Sequence, residues 1–428
     1  MRIKKEFSLQ HVVEGAYYPG VFIIKIDKVL REGIQYDDFS KEDWQTFVHE
    51  YVHFLQDIST SHGYLYYFHK SQLFDLCFYE LQTNTTGTVV LPILTEHTKM
   101  RNAPAKELLL DFYGGDTSHF RLHHINRIAI EVDEVVTEMI SEESELDSEM
   151  YSVNIYYDDK DIPYAFGNEC IIESMAYLIE RYLFGAEERK NELPYNSCEI
   201  ICQYIYPELL SKPDRISMLC EVSLMHDNCG LFYYGLVDLC KKENLAYLSD
   251  AEFVDFCEKN IEAYQDTFEL SYDRAKEGID VLFPSRFPYS FAVNQQLKIF
   301  LECGHNFRNA KKLFISDAFS VDDKMAYFMW LINLFDIPIL IDGKNDYYGK
   351  PGVQNMPVAD AVLSILMDRS TECQLRDLCK SSKMPNYDEE ICINSPWLQC
   401  EREKLCPIAV YFKGYGVDKL EFEKKVKP

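Results

Sequence analysis

Positive charge is scarce in this chain: 43 Lys and Arg stand against 70 Asp and Glu in 428 residues, a formal net charge of −27. That balance opposes binding to phosphate backbones and anionic membranes, so neither nucleic acid nor a membrane is an expected partner, whereas a basic or unfolded protein or peptide is. Long apolar runs are missing too. The most apolar stretch, YFMWLINLFDIPILI at 327–341, is short for a membrane span and carries Asp336 and Pro338, which predicts a buried helix turning into a strand. The N-terminal MRIKKEFSLQ has positive charge but no apolar run behind it, so no secretory signal is expected and the setting is read as cytoplasmic. Repeats and low-complexity tracts are absent. The C-terminal cysteines Cys373, Cys379, Cys392, Cys400 and Cys406 form no Cys-x-x-Cys pair, and in a cytoplasmic protein the 14 scattered thiols are expected to be small buried apolar groups.

What is present is mainly helical periodicity. GAYYPG followed by VFIIKI at 21–26 predicts a hairpin or edge strand. A helical pattern then runs from about Lys41 to Leu81 with a break at Ser61-His62-Gly63, and TVVLPIL at 88–94 reads as extended. IAIEVDEVV and MYSVNIYY read as strands around the acidic SEESELDSEM, expected to be a solvated loop or helix face. From Gly167 onward NECIIESMAYLIERYLFG, RISMLCEVSLMHDN, GLFYYGLVDLCKK, DAEFVDFCEKNIEAYQDTF and DKMAYFMWLINLF all carry helical apolar spacing, while 343–357 and 381–396 read as loops. The fold class is therefore α+β and mainly helical: a small sheet beside the first helix, then a large helical body.

The chemistry concentrates in WQTFVHEYVHFLQDIST, which contains His49-Glu50-Tyr51-Val52-His53. Histidines four apart on a helix project about 40° from one another and can hold one zinc ion, with the glutamate beside the first reaching the metal's water. Gln45, Thr46, Glu50, His53, Gln56 and Asp57 share the side of His49, and Phe47, Val48, Tyr51, Val52, Phe54, Leu55 and Ile58 form the opposite apolar face. Such a helix would bury its back and turn His49, Glu50 and His53 toward an opening. Ser40 with Lys-Glu-Asp after it reads as an N-cap with acids in the first turn. A second spaced pair in SHFRLHHIN, with His119, His123 and His124, has no adjacent acid and is expected on a polar surface.

A catalytic zinc usually has three protein ligands and an open position. The metzincin extension is excluded, because Gln56 and Ser59 stand where its Gly and His should be. A second helix offers instead Glu169, Glu173 and Glu180, within about 40° of one another around its axis. Glu173 stands at the border of the apolar side made by Ile172, Ala176, Ile179 and Leu183, where a partly buried carboxylate needs a cation, and Ala176 leaves room for a partner helix.

HEYVH at 49–53 with a downstream helical ESMA at 173–176 resembles the gluzincin metallopeptidases. The resemblance covers the two helices and implies a zincin-like core, with His49, His53 and Glu173 as Zn2+ ligands and Glu50 as general base. Two features depart from the best-known gluzincin pattern: 120 positions separate His53 from Glu173, and Tyr177 stands where an Asp would follow four residues later. Glu169 and Glu180 remain acceptors for a ligand histidine's free N–H, with Glu169 also a rival ligand. The implied division is a catalytic core over 1–185 and a helical body with the cysteine-containing segment over 186–428.

The expected chemistry is hydrolysis of a peptide bond, with Glu50 taking the proton of the attacking water and passing it to the leaving amine. Tyr156, Tyr157, Tyr164 and His226 are the candidates for a further oxyanion donor. A second reading is a zincin-fold binding or regulatory module within a multi-protein system, with little turnover. A third treats the histidines as incidental in a helical interaction protein.

Overall fold

Ser40 starts the helix on which the rest is assembled. In the computed structural model, which describes residues 15–18, 22–30, 39–93, 113–138, 149–160, 162–186, 191–288, 290–344, 346–349, 355–367, 372–381, 387–401 and 405–424, the Ser40 hydroxyl accepts from the Asp43 N–H. The Asp43 carboxylate accepts from the Ser40 N–H at 2.8 Å in return, a full capping box. The elements in chain order begin with β1 (Gly15–Tyr18), β2 (Ile23–Ile26), α1 (Lys41–Ser59), α2 (Ser61–Thr83) and β3 (Thr88–Leu91). Then come β4 (Phe120–Arg121), β5 (Ile125–Val132), β6 (Tyr151–Tyr157), β7 (Tyr164–Phe166), α3 (Asn168–Phe184) and β8 (Glu192–Leu193). The helical body follows as α4 (Ser197–Ile205), α5 (Pro213–Ser223), α6 (Cys229–Lys242), α7 (Asp250–Ala263), α8 (Gln265–Leu282), α9 (Phe291–Ala310) and α10 (Lys324–Phe335). After it stand β9 (Ile339–Ile341), β10 (Tyr347–Tyr348), α11 (Val358–Met367), α12 (Arg376–Ser381), α13 (Glu389–Asn394), α14 (Pro407–Gly414) and β11 (Glu421–Lys424). The fold is mainly helical with small mixed and antiparallel sheets, the zincin-like α+β class that the sequence implies.

The hairpin reading of the first strands holds: β1 pairs antiparallel with β2 in the register Gly15↔Ile26. β2 then pairs parallel with β9, giving the order β1-β2-β9-β10, with β1 at the edge among the described residues. The stretch 327–341 is a helix turning into a strand, as its apolar run with Asp336 and Pro338 requires. No helix among the described residues is long and apolar enough to cross a membrane.

Several boundaries differ from the sequence expectations, among them the helix expected to run to 228, which ends at Ser223, and the expected loop 343–357, which contains β10. The first break falls at Thr60, because Thr60 is extended and its hydroxyl caps Gly63, so Ser61-His62-Gly63 form the first turn of α2. β5 stops at Val132, because Asp133 accepts from the Val136 N–H (3.0 Å) and starts a helical turn over 134–138. The single helix expected over 250–268 divides at Tyr264. Within the expected loop 381–396, Asp388 caps Ile391 (3.2 Å) and opens α13. Most of the acidic segment 141–150 lies outside the described residues.

A larger correction concerns α1. Its polar side is nearly closed over: His49, Glu50, His53 and Asp57 keep only 5–9 % exposure and Gln56 none, against 0 % for Phe47, Val48, Tyr51, Val52, Phe54, Leu55 and Ile58 of the apolar back. α3 and β1 cover the polar side, while α9 crosses the back at Gly304, where a Cβ would run into the Ile58 carbonyl. The C-terminal end of α1 is locked by Arg308 of α9, whose guanidinium donates to the Ser59 carbonyl (3.0 Å) and hydroxyl (3.1 Å) and pairs with Glu221 of α5. Glu221 also accepts from the Ile315 (3.0 Å) and Ser316 (2.8 Å) amides. Both charges are fully buried, so α1 is held at one end by a network of buried hydrogen bonds and an ion pair.

Candidate metal centre

α1 and α3 pack face to face, and their polar stripes meet at one point. His49, His53 and Glu173 each offer a ligand atom within 4.8 Å of the other two. Glu173 Oε2 lies 3.3 Å from His49 Nε2 and 3.6 Å from His53 Nε2. A tetrahedral ion with bonds of about 2.0–2.1 Å needs its ligand atoms roughly 3.3–3.4 Å apart, so the two edges that meet at Glu173 already stand close to those of a coordination tetrahedron, and the third lies within 4.8 Å. The residues present therefore fit the metal. The cluster could coordinate a metal ion, and its arrangement is consistent with the HExxH-plus-downstream-glutamate pattern of the gluzincins. No protein-family model matches the chain, and no curated protein or solved structure matches it either.

The other ring nitrogens are committed in a way that fixes both tautomers. His49 Nδ1 lies 3.0 Å from Glu180 Oε2, and a carboxylate can only accept, so Nδ1 carries the hydrogen and Nε2 faces Glu173. His53 Nδ1 lies 3.0 Å from Gln56 Oε1, while Gln56 Nε2 donates to the Ile172 carbonyl at 3.3 Å. The amide orientation is thus set by α3, and His53 likewise presents Nε2. The sequence reading placed Gln56 on this face but gave it no role, although its position one turn after His53 was a usable signal.

Without metal, the cluster carries its own charge balance. Burial alone would push the His49 imidazole down, but its bonds to Glu173 and Glu180 and the charge of Glu50 prevail and hold it at about 10. Burial likewise opposes ionisation of Glu173, yet the facing His53 and His49 keep its carboxyl well below the ordinary carboxylate range. Two imidazoles and a carboxylate held this way are a preformed cation site.

Glu50 lies under the edge strand. A Cβ on Gly15 would stand 3.1 Å from Glu50 Oε1 and press harder still on the Thr46 methyl, so β1 can cross α1 at this height only with glycine there. Burial, followed by the charge of Glu50, raises the Tyr18 phenol of the same strand to about 12. Tyr17 stacks over His53 with centroids 6.0 Å apart. Glu169, one turn before Glu173, is not in the ligand group; it lies within electrostatic reach of Tyr66.

The four oxyanion candidates are committed elsewhere. The Tyr156 hydroxyl donates to Glu131 (2.6 Å), Tyr157 packs on Phe120 (4.9 Å), Tyr164 donates to the Asp116 carbonyl (2.5 Å), and His226 stacks on Phe232 (5.0 Å). The ring that reaches His49 is Tyr195, centroids 6.1 Å apart, with the exposed His119 against its other side at 5.4 Å. His123 and His124 lie on the surface as expected. Nothing in the sequence linked Tyr17, Tyr18 or Tyr195 to the motif, since they reach it from a strand and a turn distant along the chain. Twelve of the 14 cysteines are buried, as expected for small apolar groups.

Proposed function

We propose that the protein is a zinc-dependent metallopeptidase that hydrolyses peptide bonds with Glu50 as general base. The observation that carries this reading is the three-atom ligand geometry of His49, His53 and Glu173, with Glu50 beside it on the same helical face. Zinc held there would supply Lewis acidity to a carbonyl and to a water, lowering that water's pKa toward about 7. His49, His53 and Glu173 would hold the ion through Nε2, Nε2 and Oε2, while Glu180 and Gln56 keep the two rings in register. Glu50, beneath Gly15 of β1, would accept the proton of the attacking water and deliver it to the leaving amine. β1 stands at its sheet edge beside Glu50 and His53, where an extended peptide would add as a further strand.

The test compares wild type with Glu50→Gln in cells, counting new protein termini across the proteome and zinc per purified chain. The expected result is a set of termini present only with wild type and about one zinc in both proteins. Equal termini with zinc retained would leave the chain a zinc-holding binding module instead of a peptidase.

A further inference from the structure

α3 carries a second set of polar side chains, one residue on from each carboxylate that meets His49. Glu173 and Glu180 are seven residues apart and so lie about 20° from one another around the helix; Ser174 and Arg181 form a parallel stripe about 100° further round, and Tyr177 lies between the two stripes. This second stripe holds the turn that brings Tyr195 to His49. The turn has little ladder to fix it, because β8 before it is two residues long and pairs with the equally short β4 in the register Phe120↔Leu193 and Arg121↔Glu192.

Side chains of α3 supply the anchorage. The fully buried Ser174 hydroxyl donates to the Pro194 carbonyl (3.0 Å) and accepts from the Cys198 N–H (3.2 Å), so it grips the turn on both flanks of Tyr195. The Arg181 guanidinium donates to Glu199 Oε1 (2.6 Å), Glu199 Oε2 accepts from the Asn196 amide (2.7 Å), and Asn196 Oδ1 accepts from the Glu192 N–H (3.3 Å). With side chains only 10 % and 15 % exposed, the Arg181–Glu199 pair is little screened by water. The Tyr195 ring packs on Tyr177 (centroids 5.6 Å), against which the Arg181 guanidinium also lies (5.4 Å), and stands edge-on to His49 at 6.1 Å and 66°. Glu180 restrains His49 at a single ring atom, Nδ1. A ring held at one atom still rocks about that contact, and rocking carries Nε2 off the direction of a metal.

We infer that Tyr195 is a positioning residue of the metal centre: its ring sets the His49 imidazole for metal binding, and Ser174 and the Arg181–Glu199–Asn196 chain act on the metal through it. The inference rests on the reading of His49, His53 and Glu173 as metal ligands. One stripe of α3 then ligates and orients, and the next holds the turn whose ring backs the first histidine.

The test uses the full-length protein and two readouts, the zinc Kd by chelator competition and the visible absorption of the cobalt-substituted form, which reports ligand geometry. Tyr195→Leu should weaken zinc by about 10–100-fold and change the cobalt bands, and Tyr195→Phe, which restores the ring, should recover both. Arg181→Met should shift both in the same direction but less far, with Arg181→Lys nearer to wild type. A purely structural role would lower the melting temperature and leave the cobalt bands where they are. Wild-type zinc affinity and cobalt bands in Tyr195→Leu overturn the inference, as does a loss in Tyr195→Phe equal to that in Tyr195→Leu. Wild-type values in Arg181→Met overturn it too, and that variant decides alone if Tyr195→Leu does not fold. A wild-type protein that takes up neither ion sinks the metal-site reading itself, a result distinct from all of these.

Discussion

Replacing Glu173 by alanine should cost most of the zinc affinity, and the two-helix geometry says by how much. Its Oε2 is the third corner of the ligand triangle, 3.3 and 3.6 Å from the two Nε2 atoms. Zinc held by four ligands is worth about 10–16 kcal/mol, or about 3–4 kcal/mol per ligand, so losing one should raise Kd by about 10²–10³-fold. The observed loss will be a lower limit. Glu173 also helps hold the metal-free His49 protonated, so its removal lets zinc compete with a weaker proton. Glu180→Ala removes an acceptor from His49 Nδ1 and leaves the triangle intact, so it should cost about 10–100-fold. Competition against a chromophoric chelator at pH 7.5, with elemental analysis of each purified variant, measures both. A Glu173→Ala loss below tenfold, or a Glu180→Ala loss as large as that of Glu173→Ala, would refute the assignment.

Zinc binding at pH 7.5 should release about one proton from His49, whose metal-free imidazole is held at about 10 and must be neutral to bind; calorimetry in buffers of different ionisation enthalpy reads it, and a buffer-independent heat speaks against it. Because that folded pKa lies above the ordinary 6.5, its contribution to metal-free stability is full below about pH 6.5 and lost as pH rises through about 10, so the metal-free protein should melt progressively lower over that window. Gly15→Ala should lower kcat by about 10²-fold with zinc content unchanged, since the new methyl displaces the Glu50 carboxylate; an unaltered kcat would show that β1 does not position Glu50. Arg308→Leu strands the fully buried Glu221 carboxylate and should cost about 3–5 kcal/mol in urea unfolding, whereas a change under about 1 kcal/mol would mean that the network does not secure α1.

Much of the site was written in one dimension. The four-residue spacing of His49 and His53, the Ser40 cap and the opposed apolar face are properties of a single helix, fixed by its 3.6-residue period, and they stand in the structure as the sequence implies. The same holds for Glu173 at the apolar border of α3, because a carboxylate there has either a cation or an unfavourable burial to explain. Helix type could be read wherever periodicity was strong; the ends moved where a local side chain, such as Thr60, Asp133 or Asp388, captured a backbone amide. Tertiary structure alone decided what covers the polar side of α1. No periodicity reveals that α3 and β1 close over it, that Gly15 lies close above Glu50, or that Tyr17 meets Asp57 beside the metal ligands. Those contacts join segments tens to hundreds of residues apart, and their energy comes from burial shared by whole helices and strands, so they exist only once the chain has packed.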